Sequence, residues 1–148
     1  MERQDLPGWR IAYDRAATQA AYAHIPRGGA DSCACGPCRN WVRTRSDLFP
    51  ASFTALLDAL GIPPDRDCEV YHNGRLPTGK HSYAGWYHFV GAVEFGEREG
   101  SPFVEYPPFQ VYFHSQPALL QKPFHGLRVA TLEFSAEAPW LSEIPEAG

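Results

Sequence analysis

No apolar run in the sequence approaches the roughly 20 residues needed to cross a bilayer. The opening residues, Met1-Glu2-Arg3-Gln4-Asp5, lack the apolar segment of a secretory signal. Together these absences give the expectation of a cytoplasmic protein with no membrane partner. Also missing are G-x-S-x-G, H-E-x-x-H, the P-loop and G-x-G-x-x-G, which removes the commonest marks of serine hydrolases, zinc proteases, nucleotide triphosphatases and dinucleotide enzymes. A strong excess of basic charge is lacking as well. The net charge of −4 argues against a broad electrostatic grip on nucleic acid, although Arg39, Arg43 and Arg45 form a local basic group. There is no internal repeat, low-complexity block or linker, so residues 1–148 read as one domain.

What is present suits a packed core: 44% hydrophobic residues, 20% charged, and aromatics at 14% that fall mostly in the second half. Trp9-Arg10-Ile11-Ala12-Tyr13 alternates as a short strand. Asp14 is placed to cap a helix over 15–24, with Ala17, Ala20, Ala21 and His24 on one face. A second helix is expected over 38–44, with Trp41 and Val42 inward. The clearest helix signal follows. Phe53, Leu56, Leu57 and Leu60 form one stripe between Pro50 and Gly61.

Beyond Cys68 the period changes to that of strands. Glu69-Val70-Tyr71-His72 is expected to turn at Asn73-Gly74, a strong hairpin signal. Residues 83–95, 109–114 and 127–134 read as further strands, with Gly91 marking a bulge or a close backbone approach. Residues 96–101 read as a charged turn, and Trp140 as an anchor for the C-terminus. Helices first and strands after give an α+β fold: two or three N-terminal helices on an antiparallel sheet of about four to five strands.

The chemistry gathers in Asp31-Ser32-Cys33-Ala34-Cys35-Gly36-Pro37-Cys38-Arg39-Asn40. Three of the four cysteines sit here at C-x-C-x-x-C spacing. In a reducing compartment such thiols are metal ligands, redox groups or buried small residues. Zinc takes four tetrahedral ligands, mostly thiolate and imidazole. Cys33, Cys35 and Cys38 supply up to three, and the fourth would come from Cys68, His24, His72 or His81. Cys68 stands alone before a strand and reads more simply as a core residue.

Cys35-Gly36-Pro37-Cys38 also resembles the active-site motif of the thioredoxin family, echoed by Leu76-Pro77-Thr78 near that family's cis-proline segment. The resemblance implies Cys35 as nucleophile and Cys38 as resolving thiol, hence a thiol–disulfide oxidoreductase as the rival reading. The context differs: Gly28-Gly29-Ala30-Asp31-Ser32 replaces the family's core strand, and Ala34 stands where it has Trp. Over most of its length the chain resembles a family of small uncharacterised bacterial proteins, through Cys38-Arg39-Asn40, Leu57-x-x-Leu60-Gly61-Ile62, Gly85-Trp86-Tyr87-His88-Phe89-Val90-Gly91 and Pro139-Trp140. That resemblance implies no activity.

Elsewhere, His88 and Glu94 on one strand and Tyr112 and His114 on another would form a polar patch if their faces coincide, against the simpler reading of a solvated sheet face. Trp86, Tyr87 and Phe89 read as core aromatics rather than a stacking platform for bases. Asp65-Arg66-Asp67 and Glu97-Arg98-Glu99 read as solvated loops. The sequence therefore points to a small zinc-binding protein with a mainly structural cysteine site, and with an exposed sheet face for a protein partner.

Overall fold

The computed structural model describes residues 1–96 and 108–146. It is an α+β fold of three helices and one six-stranded antiparallel sheet. Two strands come first, β1 (Glu2–Leu6) and β2 (Trp9–Tyr13). Three helices follow: α1 (Arg15–Tyr22), α2 (Gly36–Leu48) and α3 (Ala51–Leu60). The remaining strands are β3 (Glu69–Arg75), β4 (His81–Gly96), β5 (Gln110–His114) and β6 (Val129–Ala138), with a single 3-10 turn at Lys122–Phe124 before β6. The expected order of helices before strands is thus corrected, and so is the strand number. The extra strand is β1, a polar strand that among the described residues pairs only with β2. Its tight turn uses Pro7 and Gly8, whose φ of 79° suits the third position of a type II turn.

β4 is the spine of the sheet. β6 runs along one of its edges from His81 to Val90. The other edge is shared, with β3 covering 81–86 and β2 covering 91–96. In the gap between them α1 takes the place of a strand. Tyr22 Oη donates to the His88 carbonyl at 2.7 Å and accepts from its N–H at 3.1 Å. Thr18 Oγ1 accepts from Val90 N–H at 3.0 Å, and Asp14 N–H donates to Val90 O at 2.8 Å. This is why Thr18 is wholly buried in a helix of otherwise modest apolarity. Where β2 joins, Gly91 allows the close approach: a Cβ there would lie 2.0 Å from the Ala12 carbonyl oxygen.

The Asn73-Gly74 hairpin is also corrected. Both residues lie inside β3, and the register shifts between His72 and Gly74. Gly74, at φ 116°, serves a bulge rather than a turn. The chain reverses further on, where Leu76 N–H donates to Lys80 O at 2.7 Å.

α2 and α3 cover one face of the sheet. Trp41 of α2 is fully buried and stacks on Phe134 of β6, with centroids 5.4 Å apart. Phe49, Phe53 and Phe109 close around the same ring of Phe134. α1 is capped by Asp14 as expected, and α3 runs from Pro50 to a left-handed Gly61. Of the charged turn expected over 96–101, only Gly96 belongs to the described residues. No described helix is long and apolar enough to cross a membrane.

Candidate metal centre

The cysteine loop is held at its base and open at its tip. At the base, Asp67 O accepts from Gly29 N–H at 2.8 Å, and Asp67 Oδ2 accepts from Ala30 N–H at 3.0 Å. Arg45, from α2, donates to both oxygens of Asp31. Its guanidinium also stands 3.8 Å from Asp67 Oδ1, which is buried without a hydrogen bond. Burial pushes the Asp67 carboxyl up to about 6, partly offset by the Ala30 N–H and by Arg45. The residue expected in a solvated loop is therefore a buried clamp.

At the tip, α2 begins earlier than the spacing predicts. Its first residue is Gly36, Pro37 occupies the first turn, and Cys35 is the N-cap. Cys35 Sγ accepts from Cys38 N–H at 3.4 Å, so a thiol stands where Ser or Asp is usual. The ligand atoms of Cys33, Cys35 and Cys38 all lie within 4.8 Å of one another, close enough to bind one metal ion. Cys33 Sγ and Cys35 Sγ are 3.1 Å apart. Hydrogen bonding from Cys35 draws the Cys33 thiol below its ordinary value, whereas burial and the two neighbouring sulfurs push Cys38 well above it. Cys35 is exposed, and the other two are half-buried.

The corner is fixed from beneath. Tyr83 Oη donates to the Pro37 carbonyl at 2.9 Å. Asn40, fully buried, donates from Nδ2 to Tyr83 Oη and to Pro139 O, while its Oδ1 accepts from Leu141 N–H at 2.7 Å and Ser142 N–H at 3.1 Å. One amide thus ties α2 to the C-terminal segment after β6. Trp140 is half-buried there and donates from Nε1 to Ile144 O, and both side chains lie against Gly36.

The other expected ligands lie away from the three thiols. His24 is exposed beyond α1. Cys68 Sγ donates to the Leu119 carbonyl at 3.3 Å, and burial raises its thiol to about 11. His72 Nε2 and His81 Nδ1 are 2.8 Å apart, and His81 Nε2 meets Glu146 Oε1 at 2.5 Å. Among the described residues, no further His, Cys, Asp or Glu joins the three thiols. Sequence reasoning missed Asn40 and Glu146. A polar residue one step from the buried Trp41 was a usable signal for Asn40, but nothing local marked Glu146.

The polar patch on the second sheet face is real in part. His88 and His114 both pair with Thr131, so the three form one row across β4, β6 and β5. The row is solvated only at its outer end, where His114 pairs with Glu133. His88 is fully buried, its ring 5.9 Å from Phe124 of the 3-10 turn, and Trp86 Nε1 and Thr131 Oγ1 donate to the carbonyls of Ala118 and Gln116. Burial lowers the His88 imidazole. Glu94 lies apart and pairs with Arg3. Compared with models of protein families, with curated proteins and with solved structures, the chain finds no match.

Proposed function

We propose that this is a small metal-binding protein in which Cys33, Cys35 and Cys38 hold a zinc ion with a mainly structural role. The observation that carries this is the convergence of three sulfurs within 4.8 Å at the start of α2. Thiolates so close repel one another; a divalent cation takes the place of the thiol protons, which leave to solvent, and its positive charge offsets that repulsion. Zinc is the natural choice for a cluster of thiolates. Bound there, the ion joins the segment over 28–34 to the first turn of α2, and its binding energy becomes folding energy. A cytosolic setting keeps the thiols reduced and available.

One observation favours a second reading, thiol–disulfide exchange. Cys35 caps α2, where the helix N-terminus supports a thiolate, and Cys38 follows within the first turn. Against it, residues 23–35 form no strand, and the sheet is wholly antiparallel.

Elemental analysis and native mass spectrometry of protein purified without chelator separate the two. Stoichiometric zinc that protects Cys33, Cys35 and Cys38 from alkylation is the expected result. A metal-free protein with one fast-alkylating thiol and a reversible Cys35–Cys38 disulfide would transfer the site to redox chemistry.

A further inference from the structure

Beside the thiols lies a cleft of about 720 Å³, within the size range of small-molecule sites. Cys33 forms part of its wall. Val42, Ile144 and Pro145 give it an apolar side, and Arg39 and Arg43 give it charge. The two arginines are one helical turn apart on α2, so they project side by side. Neither guanidinium has an ion pair or hydrogen bond among the described residues, in contrast to Arg45 next to them. The cleft also holds two acids. Asp31 is already bound by Arg45, and Glu143 is exposed at the rim.

We infer that the fourth position of the metal is filled from this cleft by a small organic anion, one end ligating the ion and the other a carboxylate held by Arg39 and Arg43. The inference rests on the metal reading above. Three thiolates leave a tetrahedral ion one ligand short, and no other described donor closes on it. A divalent ion with three thiolates carries one net negative charge. Two free guanidiniums offset that charge and match a carboxylate in geometry. The apolar wall favours an organic body over a bare inorganic ion. Binding is ligand exchange: a water leaves the metal, the incoming donor takes its place, and any thiol proton goes to solvent.

The test uses the full chain loaded with cobalt(II), whose visible absorption reports the ligand set, and mercaptosuccinate as probe. Mercaptosuccinate should change the cobalt spectrum saturably. An Arg39→Ala/Arg43→Ala variant should need at least about tenfold more probe, with its spectrum before addition unchanged. Succinate, which lacks the thiol, and 2-mercaptoethanol, which lacks the carboxylates, should each bind more weakly, and only succinate should depend on the arginines. A cobalt spectrum that mercaptosuccinate leaves unmoved overturns the inference and leaves the metal site standing, as does equal probe affinity in the arginine variant. A protein that takes up no cobalt overturns the metal reading and this inference with it.

Discussion

The thiol cluster and the His72–His81 pair each bring metal-ligating side chains together, but they satisfy them differently. In the imidazole pair every facing nitrogen has a protein partner, and the chain of contacts ends on the Glu146 carboxylate. Among the thiols the contacts are sulfur to sulfur, joined by backbone amides: Cys38 N–H reaches Cys35 Sγ over a long bond, and the Cys35 backbone acts on Cys33. Sulfur is a weak acceptor, so this arrangement stabilises little by itself. A cation enters the imidazole pair only by breaking good hydrogen bonds, and the thiol cluster only by relieving crowding. Proximity of donors is therefore a poor guide to a metal site unless the donors also lack better partners.

The largest expected effect breaks or keeps this comparison outright. Cys33→Ser, Cys35→Ser and Cys38→Ser should each abolish stoichiometric metal, whereas His72→Ala, His81→Ala and Cys68→Ser should retain it. With free zinc a thousandfold above the dissociation constant, stripping the metal should cost about 4 kcal/mol in urea unfolding. Loss of metal in His81→Ala would place an imidazole in the ligand set and collapse the distinction.

What the sequence revealed follows the same division between local and distant partners. Cys33, Cys35 and Cys38 fall within six residues, so spacing alone brought them together. Asn40 and Leu141, or His81 and Glu146, meet across 101 and 65 residues, and no local pattern records such a contact. The same holds for the fold. α3 and its two stops were legible because stripe, proline and glycine all act within one element. The Asn73-Gly74 signal failed because β4 pairs with β3 through a bulge, so the turn residues serve the strand instead. His88 read as one of a polar alternation, but the 115–124 segment that covers it lies some thirty residues away in the chain, with Gln121 at a separation of 33.

Smaller effects sharpen the contrast between a clamped base and an open tip. Asn40→Ala removes four hydrogen bonds and leaves part-buried backbone partners of the C-terminal segment without them, so a cost of about 2–4 kcal/mol is expected, with metal still bound in the folded fraction. Asp67 gives a pH signature. Its folded pKa of about 6 is raised by burial, so the folded state holds the proton longer than the unfolded chain. Its contribution is therefore full below the ordinary carboxylate value and is lost as pH rises through about 6. Between pH 4 and 7 that loss should reach about 3 kcal/mol at most. His88, lowered by burial, acts in the opposite sense, losing stability as pH falls below its ordinary value. The difference between wild type and Asp67→Asn, measured by urea unfolding at pH 4.5 and 7, isolates the carboxyl.

The smallest effect tests why the imidazoles are closed to metal. An ionised Glu146 only accepts, so His81 Nε2 must carry the proton that joins them. With His81 uncharged its lone pair lies on Nδ1, where it accepts from His72 Nε2–H and leaves only His72 Nδ1 outside the chain. Arg75 Nε also stands 3.4 Å from Glu146 Oε1 and gives the carboxylate a second partner. Glu146→Gln removes the charge but keeps an oxygen and adds donors, so the order of protons is no longer imposed. The expected stability loss is about 0.5–1 kcal/mol, with metal content unchanged. Nitrogen NMR of the ring should show His81 as a single Nε2–H form in wild type and a mixture of tautomers in Glu146→Gln. If His81 is already mixed in wild type, the carboxylate does not set the chain, and its closure to metal would then rest on burial alone.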